Sequence, residues 1–151
     1  MTRYVLRADG GARGNPGPAA AGFVLENGSG AVVTSGGRCL GSTTNNVAEY
    51  EALIWGLETA ASLGADEVDV FADSQLVVRQ VEGAYKVKHA NMKPLYLRVM
   101  ELLRGFERWS IAHVLREHNA AADALVNEAL DTGEQAGDAP WPVETDRMTL
   151  F

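Results

Sequence analysis

Four acidic residues stand at positions where a folded chain could do chemistry. Asp9 follows the run Tyr4-Val5-Leu6-Arg7-Ala8, and Asp73 follows Val68-Asp69-Val70-Phe71-Ala72. Glu49 and Asp123 each lie near the start of an amphipathic segment. Any one of them would serve equally well as a helix-terminal or surface charge, but four that can converge demand another account. Two unit charges 4 Å apart repel by roughly 4 kcal/mol at an effective dielectric near 20, so carboxylates sharing a pocket require a cation among them. The chain has one cysteine, Cys39, and no cluster of His and Cys, so the donors are all oxygen. That set suits Mg2+ or Mn2+ and does not suit zinc. Two such ions held by shared carboxylates can activate a water and stabilise the leaving oxygen when a phosphodiester is displaced in line.

The elements that must carry these acids can be read from periodicity. Tyr4 to Ala8 reads as a strand running into a glycine-rich segment, Asp9 to Pro18, expected to be a loop. Ala21 to Leu25 and Ala31 to Thr34 read as strands joined at Asn27-Gly28, a strong hairpin signal. From Thr44 to Leu63, Tyr50, Leu53, Ile54, Leu57 and Ala61 recur at helical spacing, with Thr44, Asn45 and Asn46 as cap choices. Ala52, Gly56 and Ala60 form a small-residue stripe in line with Glu49 that lets this helix lie close to the sheet. Val68 to Ala72 is a buried strand, and Ser74 can cap the helix after it. Pro94 opens another helix, Trp109 to Leu115 alternates like a strand, and Asn119 is expected to cap a last helix with Ala122, Leu125, Val126 and Ala129 inward. The order β-β-β-α-β-α-α-β-α predicts an α/β fold, a five-stranded mixed sheet flanked by helices. Asp9 and Asp73 then fall at strand carboxyl ends, where ligands collect in such sheets.

A chain of 151 residues, 46% apolar, is the size of one compact domain. A lone cysteine and the lack of a signal pattern or long apolar run predict a cytoplasmic protein with no membrane segment. The net charge of −7 argues weakly against a nucleic-acid partner, but it is unevenly spread. Residues 86–116 hold Lys86, Lys88, Lys93, Arg98, Arg104, Arg108 and Arg116 against Glu101 and Glu107 only. Residues 132–151 are acidic, rich in Gly, Pro and Thr, and without apolar period, and read as a linker-like or loosely ordered tail behind a domain at 1–131.

Four motifs then carry a resemblance. Asp9-Gly10-Gly11-Ala12-Arg13-Gly14-Asn15-Pro16-Gly17-Pro18, Thr44-Asn45-Asn46-Val47-Ala48-Glu49-Tyr50, Ala72-Asp73-Ser74-Gln75-Leu76-Val77, and His118-Asn119 through Ala122-Asp123-Ala124-Leu125 resemble the type 1 ribonuclease H family in order and spacing. The match spans residues 3–131 and is most similar to the compact bacterial and archaeal branch. After the Asp73 helix the chain leaves no room for the basic handle of some relatives. The resemblance implies a ribonuclease H-like fold and an endonuclease that acts on RNA·DNA hybrids, and the chain is expected to be monomeric. The RNA strand would be cut to 5′-phosphate and 3′-hydroxyl ends, with two Mg2+ or Mn2+ ions per active site.

By position, the resemblance implies that Asp9 bridges both ions, that Glu49 and Asp73 hold one, and that Asp123 helps hold the ion carrying the attacking water. Asn15, Asn45, Asn46 and Gln75 match positions that contact the RNA strand. Amide side chains both donate and accept, as recognition of a 2′-hydroxyl requires. Lys86 and Lys88, with Lys93 and Tyr85, are candidates to hold the DNA strand in place of the handle. Many members carry a histidine on a mobile loop before the last aspartate, and His118 is the candidate here, expected to lie near Asp123.

Three other readings fit less well. A nucleotide-binding loop would lead from Gly11, Gly14 and Gly17 into a helix, and no Gly-Lys-Ser/Thr is present. A hybrid-binding protein without catalysis would not need all four acids. A 3′ exonuclease of related fold would show Asp-x-Glu where this chain has Asp9-Gly10-Gly11.

Overall fold

The computed structural model describes residues 1–141. Its elements run β1 (Arg3–Ala12), β2 (Gly17–Asn27), β3 (Val32–Thr43), α1 (Asn45–Ser62), β4 (Glu67–Ala72), α2 (Gln75–Val81), α3 (Lys93–Arg104), β5 (Arg108–His113), α4 (Ala120–Thr132) and β6 (Ala136–Gly137), with a 3₁₀ turn at Arg116–Asn119 before α4. The expected α/β class and element order hold, with one strand more than expected. The sheet has six strands in the order β5-β4-β1-β2-β3-β6. β1 pairs antiparallel with β2 and parallel with β4, which pairs parallel with β5.

Side chains alternate across β1, so its two faces meet different helices. On one face Leu6 and Ala8 join Phe23, Tyr50, Leu53, Trp55 and Leu57 in the main core under α1. Each such large side chain contributes roughly 1.5–3 kcal/mol when fully buried, so this layer dominates the stability. The small-residue stripe does what its composition predicts: a β-carbon on Gly56 would stand 2.4 Å from a Leu6 methyl. On the opposite face Gly22 and Gly37 lie against α4, where added β-carbons would meet Ala122 O at 2.8 Å and Leu125 O at 2.4 Å.

The glycine-rich segment is less of a loop than its composition predicts. β1 continues through Gly10 and Gly11, which pair with Ala21 and Ala20, and only residues 13–16 are left to turn. Glycine is required there for closeness: a β-carbon on Gly10 would fall 2.2 Å from the carbonyl carbon of Ala48.

The domain also continues beyond the boundary expected after Asp131. Gly36 and Gly37 of β3 pair with Gly137 and Ala136. Ala139 is fully buried, Trp55 Nε1 donates to the Pro140 carbonyl at 2.9 Å, and the Trp141 ring stands edge-on to Trp55 at 4.9 Å. Acidity and Gly/Pro content read as a linker because the segment docks through backbone pairing and isolated side chains, which leave no apolar period. The remainder of the expected tail, with Phe151, lies outside the described residues.

Candidate active site

Strand register brings the first two acids together. Ala8 pairs with Ala72 across parallel β1 and β4, so Asp9 and Asp73 are the next residues on adjacent strands. Asp73 leaves the strand into the turn that starts α2, where Ser74 Oγ accepts from Val77 N and caps the helix as expected. Glu49 arrives from α1, whose cap is Thr44, with Oγ1 accepting from Val47 N. The backbone contact at Gly10 sets Glu49 beside β1. Asp9 pairs with Gly22, and the missing side chain at Gly22 is what admits the first turn of α4, with Asp123, over that face.

Carboxylate oxygens of Asp9, Glu49 and Asp73 lie within 4.8 Å of one another. With Asp123 they line one open cleft of about 420 Å³. Asp9 is 2% and Glu49 8% exposed. Burial, then the charge and hydrogen bonding of Asp73, then Asp123, push the Asp9 carboxyl up from 3.8 to about 8. Burial, then the charges of Asp9 and Asp73, also raise Glu49 well above its usual range, against a lowering hydrogen bond from the Gly10 backbone. Among the described residues, no N–H or hydroxyl donor reaches the buried Asp73 Oδ2, whose neighbours are the other carboxylates. An unmet carboxylate oxygen, two acids that resist ionisation and an all-oxygen donor set together fit a hard divalent cation.

The rim is built from amides. Asn45 Oδ1 accepts from Ala12 N at 2.7 Å, and Asn15 Oδ1 accepts from Asn45 N at 3.0 Å, so the turn after β1 and the start of α1 are tied together. The Asn15–Pro16 peptide bond is cis. Asn45 and Asn46 line the carboxylate cleft. Asn46 also borders a second cleft of about 490 Å³ with Tyr85, Lys86, Lys88 and His89, so the two clefts adjoin. Lys93 lines a further hollow with Tyr85 and Lys86. Gln75 is exposed on the first turn of α2 and borders neither cleft.

His118 is not brought to the acids. It lies in the 3₁₀ turn with its side chain 68% exposed and Nε2 3.9 Å from Glu117, and it does not line the carboxylate cleft. The turn instead sends Arg116 to the cleft wall. Asn119 departs from its expected role as well. It occupies the cap position of α4 but makes no side-chain cap bond. Its Nδ2 donates to the carbonyl of Ala8 at 2.9 Å, and the side chain is buried. Asn119 thus fastens α4 to the strand just before Asp9.

Sequence reasoning missed several of these supports. Gly22 carried no signal in one sequence, since its role is a contact 100 residues away in the chain with Ala122. Asn127 was findable: four residues after Asp123 on one helix, it donates to the Asp123 backbone carbonyl at 3.1 Å and to Oδ2 at 3.3 Å.

Comparison with known proteins gives the site a context. Residues 7–129 match the family model described as reverse transcriptase-like. Ribonuclease HI of Halobacterium salinarum is 52% identical over 123 residues, covering 82% of this chain. The chain spans 62% of the length of that relative and 38% of three mycobacterial ones. Among solved structures, the N-terminal RNase H domain of a Mycobacterium tuberculosis protein superposes with a TM-score of 0.85 at 44% identity, covering 87% of this chain and 96% of that one. LC11-RNase H1, solved in complex with an RNA/DNA hybrid, gives 0.81 at 43% identity, covering 86% and 98%.

Proposed function

Since this chain belongs to the type 1 ribonuclease H family, we propose that it hydrolyses the RNA strand of RNA·DNA hybrids at the Asp9, Glu49, Asp73 and Asp123 cleft. The observation that carries the reading is the convergence of those carboxylates beside Asn45 and Asn46. It is supported by the relative of similar structure that was solved with a hybrid bound.

Two Mg2+ or Mn2+ ions held by the four acids would supply an activated water and offset the charge that builds on the leaving oxygen. Asp9, Glu49, Asp73 and Asp123 would hold them, the first three from the tight carboxylate cluster and Asp123 from the facing helix. Asn15 and Asn45, locked to each other and to the Ala12 backbone, hold the amide rim rigid beside the acids. Such a rim can place a ribose hydroxyl at low entropic cost, which separates RNA from DNA at the strand being cut. Lys86 and Lys88 in the adjoining cleft are suited to the phosphates of the second strand.

The test is incubation of the full chain with labelled RNA·DNA hybrid, duplex RNA and duplex DNA, each with Mg2+, Mn2+ or chelator. The expected result is metal-dependent cutting of the hybrid's RNA strand alone, leaving 5′-phosphate ends. Cutting that survives chelation, or equal cutting of duplex DNA, overturns the reading.

A further inference from the structure

Gln80 is a buried polar residue on a helix whose other inward positions, Val77, Val78 and Val81, are apolar. An uncharged amide in such a place is costly unless its bonds are made. Both ends of this one are bonded, and they join two different parts of the site. Its Oε1 accepts from the Tyr50 hydroxyl at 2.5 Å, and its Nε2 donates to the carbonyl of Lys86 at 3.4 Å. Tyr50 is fully buried and directly follows Glu49 on α1.

Lys86 belongs to the connection between α2 and α3, which has no regular structure. The turn that starts it is fixed by Ala84 N and Tyr85 N, both donating to Arg79 O, and its far end by Met92 N donating to His89 O. Between those points, among the described residues, the backbone of 86–88 is held by the Gln80 bond, with Val87 packed partly against the core. Lys86, which supplies the anchored carbonyl, and Lys88, two residues on, line the cleft adjoining the carboxylates.

We propose that Gln80, gripped by Tyr50, is a positioning residue that sets the distance between the basic connection and the carboxylate cleft, and so the register in which the uncut DNA strand of a hybrid is held. This rests on the activity proposed above. The geometry ties the second strand's binding surface to the helix that carries Glu49 through one amide. It gives the short connection between α2 and α3 an anchor close to the carboxylates.

Gln80→Met removes both bonds at similar volume, and Tyr50→Phe removes one while leaving the core packing. In the free full-length protein, amide exchange of residues 84–89 is expected to accelerate in both variants while α1 and β1 stay protected. Hybrid Kd, measured in chelator, and KM are expected to rise about three- to tenfold, the range of one or two net hydrogen bonds. The value of kcat should stay within about twofold. Unchanged exchange in both variants overturns the link, and faster exchange with wild-type Kd and KM overturns the positioning role. A fall in kcat and melting temperature with Kd unchanged would mark Gln80 as a core residue only. A wild-type chain that neither binds nor cuts hybrid sinks the proposed activity itself and takes the positioning role of Gln80 with it.

Discussion

Gly10 and Ala48 touch backbone to backbone: a β-carbon on Gly10 would stand 2.2 Å from the Ala48 carbonyl carbon and 2.4 Å from the Glu49 nitrogen. That contact fixes the spacing of Asp9 and Glu49. Gly10→Ala must push α1 from β1, at a cost of about 1–3 kcal/mol. A misplacement near 1 Å in the site should lower turnover by about 10²-fold. Gly11→Ala is the control, since its β-carbon would meet only a Val126 methyl at 3.9 Å. Near-normal kcat in Gly10→Ala would show the contact to be slack.

The raised Asp9 carboxyl predicts how stability without metal responds to pH. Its folded pKa of about 8 lies above the ordinary 3.8, so the folded state binds more protons between those values. Its contribution is therefore full below about pH 4 and is lost as pH rises through 8. Melting curves in chelator should fall over that window for wild type and fall less for Asp9→Asn, in which the like-charge strain is relieved. Asp9→Asn should also abolish turnover. A wild-type melting temperature that climbs with pH across the window would contradict the electrostatics.

His118 should be dispensable for the chemical step. Its ring is exposed and stands beside Glu117, outside the carboxylate cleft. His118→Ala is expected to keep kcat within about threefold, well short of the roughly 10²-fold or greater loss that follows removal of a general acid or base. A loss of that larger size would require the turn at 116–119 to rearrange on substrate binding.

Truncation after Asp131 should destabilise the fold. It removes the pairing of β6, the buried Ala139 and the Trp141 ring against Trp55. Loss of a large aromatic contact costs on the order of 3 kcal/mol. Thermal melts of the truncated and full chains measure this directly. Equal melting temperatures would return the segment to the linker role its composition predicts.

The sequence is most legible where a local rule and the global fold agree. Thr44 and Ser74 cap as their positions predict, the hairpin at Asn27-Gly28 forms, and the Ala52-Gly56-Ala60 stripe lies on the sheet. Glu49, Asp73 and Asp123 were legible too, because each falls near an element end that periodicity can locate, whereas Asp9, expected at the end of its strand, lies inside β1, which continues to Ala12. What escaped were residues whose partners are distant in sequence. Asn119 looked like a cap because its neighbours are helical, yet its amide answers to Ala8. Gly10 and Gly11 looked like loop because glycine in one sequence does not distinguish turning from crowding. Tyr50 read as a core position of its helix and Gln80 carried no signal, and only the fold joins them.

The two-residue strand β6 has a consequence for the protein in a crowded solution. It covers β3 at Gly36 and Gly37, while Asp138 N and Ala139 N both donate to Ser35 O and the Arg38 guanidinium stacks on Trp141 at 4.5 Å. Gly137, at φ +75°, then turns the chain away, and Pro140 follows with no amide hydrogen to offer. Along this stretch the sheet ends in a segment too short and too bent to template another strand. Edge-to-edge aggregation is thereby denied a starting point at that margin.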